Sequence, residues 1–317
     1  MTSRPECLKV VVLAGGVGGA RMARGFARIP SVKLSVVVNV GDDDWFHGLK
    51  VCPDLDTVLY TLSGVVNRSQ GWGVADDATR ALDTLRKLES PDTWMTLGDA
   101  DLGLHIYRTQ ALRSGQMLTQ TMSHVARRFG LGASLLPVSD QECPTLVDTE
   151  EGLLRFQEWF VKSRGMPRVR GLSFQGAAQA SVTLEVSQAF SNADLIVIAP
   201  SNPLLSIDPM LAIQGFRTLV SESKAPRVAI SPLIRGRAVK GPLVKLLEDL
   251  EAPATSEAIA SHYAGLVDAF VVDQEEPAEV VAGVAHHMRA LQMPTLMSDE
   301  ARSQELAGKL LAWHQSI

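Results

Sequence analysis

A glycine cluster directly after an apolar run is the feature that most restricts how this chain can fold. The run Leu8–Ala14 is rich in valine and predicts a buried strand, Gly15-Gly16-Val17-Gly18-Gly19 predicts a tight turn, and Ala20–Arg28 predicts a helix. This order brings backbone N–H groups to a helix N-terminus with no Cβ in the way. Phosphate is the natural ligand of such a turn, and a tight turn without a ligand is the alternative.

Strands and helices alternate at both ends of the chain. A second valine-rich run at Lys33–Val40 follows the first helix, which indicates parallel strands buried on both faces. From residue 194 onward the patterns predict strands at 194–199, 227–231, 269–273 and 295–297, and helices at 209–221, 242–250, 256–264 and 277–291. The alternation predicts an α/β fold, a Rossmann-like doubly wound and mostly parallel sheet.

The middle of the chain does not alternate in this way. Residues 76–89 and 117–129 read as helices, whereas 133–138, 145–148 and 169–174 read as extended segments. We therefore expect one domain over residues 1–317, with a mixed α+β insertion at about 75–185 that forms one wall of a cleft.

Composition and charge exclude several classes of protein. With 46% hydrophobic and 21% charged residues the chain is an ordinary globular one, and its net charge of −5 gives no general attraction to nucleic acid or to anionic membranes. Cys7, Cys52 and Cys143 are too scattered for a disulfide framework or a zinc site. Met1–Lys9 lacks the apolar core of a signal peptide, and no run of about 18 apolar residues occurs, so we expect a cytoplasmic protein.

Two groups of carboxylates lie close to the glycine turn in the sequence. The second strand ends in Asn39-Val40-Gly41-Asp42-Asp43-Asp44, and Pro53-Asp54-Leu55-Asp56-Thr57 opens a helix. Carboxylates beside a phosphate-binding turn repel the ligand unless a hard cation lies between them, and Mg²⁺ is typically held by one or two carboxylates plus phosphates. We predict a Mg²⁺-diphosphate site. The alternatives are that Asp54 caps its helix and that Asp42 to Asp44 form a solvated loop.

Two further segments carry polar side chains suited to binding. The stretch from Trp94 to Arg108 includes Asp99 and His105 and would receive a planar polar ligand, unless these are a turn aspartate and a structural histidine. The loop Pro200-Ser201-Asn202-Pro203 follows a predicted strand, and ligands of open α/β sheets bind at the carboxyl ends of strands.

These motifs, taken together and in order, resemble the 2-phospho-L-lactate transferase family. The N-terminal part of the resemblance consists of Gly15-Gly16-Val17-Gly18-Gly19-Ala20-Arg21, Val38-Asn39-Val40-Gly41-Asp42-Asp43, His47-Gly48-Leu49, Pro53 to Tyr60 and Gly71-Trp72-Gly73. It continues through Leu97-Gly98-Asp99, Asp101 with His105 and Arg108, Leu136-Pro137 with Ser139-Asp140, Phe156-Gln157, Pro200 to Pro203, Ser231-Pro232 and Lys240-Gly241-Pro242. The match runs from about residue 8 to 275.

The resemblance implies an activity, a metal and an oligomeric state. The family makes coenzyme F-420 by transferring a phosphorylated three-carbon acid from its guanosine diphosphate conjugate to the ribityl hydroxyl of a deazaflavin, with release of GMP. Its members resemble Rossmann-like homodimers that use Mg²⁺. The turn residues Val17 and Gly19-Ala20-Arg21 resemble the bacterial branch, where the acid is phosphoenolpyruvate or 3-phosphoglycerate in place of 2-phospholactate.

The resemblance also implies roles for individual residues. The guanosine diphosphate part is assigned to Gly15, Gly16, Gly18, Gly19, Arg21, Asn39, Ser201 and Asn202. Asp43 and Asp54 are the leading metal ligands, with Asp42 and Asp56 behind them, and Asp54 or Asp56 is the candidate to accept the ribityl proton. Trp94, Asp99, His105 and Arg108 are assigned to the deazaflavin.

Two other functions remain open on the sequence. The glycine turn followed by Asp42 favours an NAD-dependent dehydrogenase, although no hydride-transfer residues accompany them. The same kind of turn occurs in a non-enzymatic nucleotide-binding regulator of the gluconeogenesis-factor type. Mg²⁺-dependent GMP release with a deazaflavin would exclude both.

Overall fold

A computed structural model describes residues 7–317 of the chain. Its strands are β1 (Leu8–Ala14), β2 (Val32–Val38), β3 (Asp44–Phe46), β4 (Leu49–Val51), β5 (Ser134–Pro137), β6 (Thr145–Thr149), β7 (Gly152–Arg155), β8 (Val169–Phe174), β9 (Leu195–Ile198), β10 (Arg227–Ile230), β11 (Leu233–Ile234), β12 (Arg237–Ala238), β13 (Ala269–Asp273) and β14 (Arg289–Met293). Its α-helices are α1 (Gly16–Ala27), α2 (Pro53–Ser63), α3 (Arg80–Lys87), α4 (Asp99–Arg113), α5 (Leu118–Arg128), α6 (Leu184–Ser191), α7 (Asp208–Leu211), α8 (Phe216–Ser221), α9 (Leu243–Asp249), α10 (Ser256–His262), α11 (Ala278–Ala285) and α12 (Glu300–Gln315). Two single π-helical turns cover Glu158–Lys162 and Pro203–Ile207.

The centre of the molecule is a seven-stranded parallel sheet in the order β14-β13-β10-β9-β1-β2-β5. From β1 the chain builds the sheet outward through β2 to β5, then returns to the other side of β1 and builds through β9, β10 and β13 to β14. The strand order therefore reverses between β1 and β9, which is the topological switch point of a doubly wound fold. The predicted fold class is confirmed.

The central strands are apolar because flanking helices cover the sheet. Val10, Val11, Val12, Leu13 and Ala14 of β1 are all buried, and the glycine-rich helix α1 packs against β1, α2 and α12. The approach of α12 is close: a Cβ at Gly25 would collide with the backbone of Ser303. A near-continuous apolar strand of this kind is typical of a parallel sheet buried on both faces.

The middle of the chain adds a wall beside this sheet. The β3–β4 hairpin packs on α4, and β6, β7 and β8 form a separate antiparallel sheet. One segment expected in the insertion belongs to the central sheet: β5 pairs in parallel with β2 as the edge strand. The single domain with an insertion at 75–185 stays a prediction.

The largest difference from the predicted elements lies near the C-terminus. The helix predicted at 277–291 ends at Ala285, and Arg289–Met293 forms β14 in parallel register with β13. The strand predicted at 295–297 is wrong, since those residues follow β14 as a loop. Pairing with the edge of the sheet outweighs local helix propensity in this segment, which is rich in helix-forming residues.

In the part of the chain that the structure describes, no helix has both the length and the apolar character needed to cross a membrane. The expected absence of a signal peptide rests on Met1–Lys9, and Met1–Glu6 lie outside the described residues.

Candidate functional site

The candidate site lies at the switch point, where β1 and β9 end side by side. Gly15 follows β1, and Ser201 stands three residues after β9. The Ser201 hydroxyl accepts a hydrogen bond from the Gly15 N–H at 3.2 Å and donates one to the Gly15 carbonyl at 2.8 Å. The two loops that the sequence assigned to one ligand are thus joined directly.

The glycine turn has a backbone shape that side chains would prevent. Gly16 has φ of +60°, a conformation that favours glycine, and a Cβ at Gly18 would collide with the Pro200 carbonyl. The first intrahelical hydrogen bond is donated by Gly19, to Gly15 at 3.4 Å, so the amides of Val17 and Gly18 have no acceptor within the helix. Both residues line the cavity, where these amides are available to an anion.

Asp54 closes the other side of the turn. As the second residue of α2 it accepts the Gly16 N–H at 2.6 Å, and its second oxygen accepts from Asn39 Nδ2 at 3.0 Å. The same Asn39 nitrogen donates to Asp42 Oδ1 at 2.9 Å. Asn39 therefore holds the Asp42 and Asp54 carboxylates next to each other, and it fixes these two acids rather than lining the cavity itself.

The two linked carboxylates resist ionisation in this structure. Burial raises the pKa of Asp54 to about 6, against the opposing effect of the hydrogen bonds from Asn39 and Gly16. Burial and the charge of Asp54 raise the pKa of Asp42 well above its usual value. Because both acids carry an electrostatic penalty when charged, a cation beside them would be stabilising.

The other two aspartates of the first cluster face away from the cavity. Asp43 is buried near Lys50 and Cys52; burial raises its pKa to about 7 although Lys50 opposes the shift. Asp44 forms an ion pair with Arg155. The structure thus brings Asp42, and not Asp43, together with Asp54.

Asp56 is held by a buried arginine. Both of its oxygens accept hydrogen bonds from the Arg108 guanidinium, and Arg108 is fully buried. Burial is the largest single effect and lowers the pKa of Arg108, but Asp56, Cys52 and Asp43 together raise it above the usual value. His105 Nδ1 lies 3.6 Å from Asp56, and burial lowers the pKa of His105 to about 4, so this imidazole is neutral at pH 7.

A cavity of about 610 Å³ lies at this site. Its polar lining includes the glycine turn, Asp42, Asp54, Ser201 and Asn202. Its apolar and aromatic lining includes Tyr60, Trp72, Met95, Leu97, Phe156, Phe160 and Val161. Arg21 and Lys240 are the cations of the cavity lining. A cavity lined by both charged and aromatic groups fits a ligand that joins a diphosphate to a planar ring system.

The structure distributes the predicted residues between the cavity and its supports. Those that line the cavity are Gly15, Gly16, Gly18, Arg21, Asp54, Asp56, His105, Ser201 and Asn202. Those that do not are Gly19, Asn39, Asp43, Trp94, Asp99 and Arg108. Trp94 packs edge-on against Phe46 with ring centroids 5.4 Å apart, and Asp99 accepts the Ala81 N–H at 3.1 Å at the start of α3.

Several cavity residues had no individual prediction. Tyr60, Trp72, Phe156, Phe160, Ser206 and Lys240 all line the cavity. Tyr60, Trp72, Phe156 and Lys240 stand in motifs of the family resemblance, which was the one signal able to find them. Within residues 7–317, no group of three or more His, Cys, Asp or Glu side chains is arranged to hold a metal ion.

Comparisons with known proteins show which family the chain belongs to. The family model for 2-phospho-L-lactate transferase CofD matches residues 10–307. The phosphoenolpyruvate transferase of Mycobacterium avium (strain 104) is 38% identical over 338 residues, covering 96% of this chain and 99% of that protein. The phosphoenolpyruvate transferase of Mycobacterium ulcerans (strain Agy99) is also 38% identical, over 331 residues, with 95% and 99% covered.

Among solved structures, the fold is similar to that of a UPF0052 family member from Bacillus halodurans. The TM-score is 0.61 at 18% identity, with 95% of this chain and 98% of that chain covered. This likeness concerns the fold alone, whereas the family match spans nearly the whole chain. The chain is therefore a transferase that belongs to the 2-phospho-L-lactate transferase CofD family.

Proposed function

We propose that this protein transfers phosphoenolpyruvate from its guanosine diphosphate conjugate to the ribityl hydroxyl of a deazaflavin and releases GMP. The observation that carries the proposal is the cavity at the switch point, which combines an anion-binding turn with aromatic side chains within about 610 Å³. Phosphoenolpyruvate is chosen among the three expected acids because the curated relatives at 38% identity are named for it.

The polar groups of the cavity lining supply the contacts that a diphosphate needs. The free amides of Val17 and Gly18 point from the first turn of α1, whose dipole favours negative charge. Arg21 and Lys240 add positive charge from the cavity wall. Asn202 caps the turn after β9 with its carbonyl oxygen, and its buried Nδ2 has no partner, which leaves a donor for the ligand.

Asp42 and Asp54 fit a Mg²⁺ ion better than they fit a bare diphosphate. Two adjacent carboxylates with raised pKa values would repel phosphate, and two hard oxygen ligands are what Mg²⁺ takes when phosphates supply others. When bound, Mg²⁺ would neutralise charge on the diphosphate. Asn39 holds both acids for this role by donating to each of them.

The aromatic side chains of the cavity lining supply a surface for the flat ring of the deazaflavin. Phe156 and Phe160 stack with centroids 5.4 Å apart and rings inclined by 9°, and Trp72 contributes a half-exposed indole. Aromatic faces attract planar ring systems by stacking and by removing apolar area from water. Trp94 was also expected to contact the deazaflavin, but its ring packs on Phe46 instead.

The reaction needs one proton acceptor and no covalent intermediate on the protein. The ribityl oxygen attacks the phosphorus that carries the enolpyruvyl group, the bond from that phosphorus to the bridging oxygen breaks, and GMP leaves with that oxygen. Asp56 is our candidate to take the hydroxyl proton, since Arg108 holds its carboxylate in place and it lines the cavity beside neutral His105. Positioning and charge neutralisation carry the rest of the catalysis.

The test is a mass-spectrometric assay with purified full-length protein, Mg²⁺ and the deazaflavin alcohol. Guanosine diphosphate conjugates of 2-phospholactate, phosphoenolpyruvate and 3-phosphoglycerate are supplied together, and a parallel reaction contains EDTA. We expect one deazaflavin product that carries phosphoenolpyruvate, together with GMP, and neither in EDTA. No product from folded protein and intact conjugates would contradict the proposal and favour a nucleotide-binding regulator, while a different acid in the product would correct the substrate alone.

A further inference from the structure

A second, smaller pocket lies next to the candidate site. It measures about 140 Å³ and is lined by Val17, Arg21, Arg24, Thr61, Val66, Arg68, Gly71, Ser298, Asp299 and Glu300. Arg21 and Val17 line this pocket and the main cavity alike. We call it the arginine pocket.

Its basic side chains converge from two elements. Arg21 and Arg24 are spaced three residues apart and so share one face of α1, while Arg68 comes from the loop after α2. Like charges at this helical spacing repel each other, so anionic neighbours stabilise them.

The protein supplies too few of these neighbours. Glu300 serves three arginines at once: it pairs with Arg28, lies 3.0 Å from Arg68 and lies 3.8 Å from Arg24. The other acid, Asp299, caps the N-terminus of α12 by accepting the Arg302 N–H at 2.9 Å. The three arginines that line the pocket, with Arg28 beside them, thus share two carboxylates, one of which is already committed to a helix cap.

Arg24 shows most directly that the arginines lack acceptor groups. Its side chain is 13% exposed, and its buried Nε has no hydrogen-bond partner. Burial lowers the pKa of Arg24, and the charges of Arg21, Arg28 and Arg68 lower it further, while Glu300 opposes them. A buried unpaired donor on a charged group is costly, so this position is arranged for an additional acceptor.

We infer that the arginine pocket is a binding site for a small phosphate dianion, separate from the main cavity and coupled to it through Arg21. Phosphate offers several acceptor oxygens to forked guanidinium groups, which bind it bidentately. At about a quarter of the volume of the main cavity, the pocket fits one phosphate group rather than a nucleotide. The inference does not depend on the proposed activity.

The dianion has two sources, free inorganic phosphate or a phosphorylated small acid. Calorimetric titrations with inorganic phosphate and with 3-phosphoglycerate, at constant ionic strength and without nucleotide, distinguish them. The source is the one that binds the wild-type protein more tightly, and absence of binding by either overturns the inference.

Variants outside the main cavity locate the site. We expect Arg68→Gln to weaken binding by about tenfold, the size of one charge-assisted hydrogen bond. We expect Glu300→Gln to tighten binding, because it removes the carboxylate that competes for the same arginines. Arg128→Gln, an exposed arginine on α5, is the matched control.

The opposite directions of the two effects keep the test independent of stability losses. Glu300→Gln is expected to lose stability and yet bind more tightly, which a merely structural role for Glu300 would not produce. Binding by wild type that neither Arg68→Gln nor Glu300→Gln alters would place the phosphate at the glycine turn and overturn the inference.

Discussion

The two walls of the main cavity are built in different ways. The first, which we call the rim, consists of loops that follow β1, β2 and β9 and of the start of α2. Its parts are joined by hydrogen bonds: Ser201 to the Gly15 backbone, and Asp54 to Gly16 and Asn39. The second, which we call the acceptor wall, consists of α4 and of side chains from the segments 70–73 and 156–161, which all line the cavity.

This difference separates chemistry from shape. The carboxyl ends of neighbouring parallel strands must lie together, so the rim keeps its geometry whatever the sequence between the strands. The acceptor wall depends on how distant segments pack, and a buried ion pair between Asp56 of α2 and Arg108 of α4 ties it to the rim. Breaking that contact, and then altering each wall alone, tests the comparison.

The largest effect is expected from Arg108→Met. It leaves the buried Asp56 carboxylate without its partner, so we expect the free energy of unfolding to fall by about 3–5 kcal/mol in urea denaturation. Adding Asp56→Asn should recover much of this loss, because removing both charges leaves no unpaired ion. Arg128→Met, on the exposed face of α5, is the control. An equal loss of unfolding free energy in Arg108→Met and Arg128→Met would show that the ion pair does not hold the walls together.

Asp54→Asn alters the rim and leaves the acceptor wall intact. We expect kcat to fall by about 10²–10³-fold, the usual cost of removing one group that stabilises charge in the transition state. The fold should persist, since the amide keeps the shape of the carboxylate and one acceptor oxygen for Gly16. The check is the rate of GMP release at several Mg²⁺ concentrations, and an unchanged rate at saturating Mg²⁺ would remove Asp54 from the site.

Sequence reasoning located the rim because strand ends determine it. Gly15, Asp54 and Ser201 were placed together from three separate segments, and they are together. It ranked Asp43 ahead of Asp42, whereas the structure brings Asp42 next to Asp54. Side chains that are adjacent in a turn point in different directions, which only tertiary packing decides. Nor did sequence reasoning show that the Gly16 amide is used by Asp54.

The acceptor wall was harder to predict because strand ends do not determine its position. Trp94 was expected to face the ligand, yet Trp72 lines the cavity, and the choice depends on Phe46 packing against Trp94. One signal was available. Asp101, His105 and Arg108 are spaced four and three residues apart, which places them on one face of α4 toward α2; Arg108 on that face pairs with Asp56.

His105 makes the acceptor wall sensitive to pH. Its pKa is about 4 in the folded protein, chiefly through burial, against about 6.5 when unfolded. The unfolded chain therefore binds more protons between these values, so the stability that neutral His105 provides is present above pH 6.5 and is lost as pH falls toward 4. We expect His105→Gln to remove up to about 3 kcal/mol of this dependence.

The measurement is the free energy of unfolding of wild type and variant at several pH values between 4 and 7. His287→Gln, at an exposed position after α11, is the control and should keep the wild-type slope. Since the acids of the rim are common to all three proteins, the difference between the curves isolates His105. Parallel curves for wild type and His105→Gln would contradict the assignment.

The smallest effect, and the sharpest test of the acceptor wall, comes from comparing its two tryptophans. Trp72 is 46% exposed and lines the cavity, so Trp72→Ala should raise KM for the deazaflavin about tenfold through lost stacking, with kcat and stability nearly unchanged. Trp94 packs on Phe46 and donates to Asp92 at 3.1 Å, so Trp94→Ala should cost about 1 kcal/mol of stability and leave KM unchanged. If Trp94→Ala alone raised KM, the deazaflavin ring would bind against α4 and the β3–β4 hairpin. The aromatic side chains that line the cavity would then not form the acceptor site.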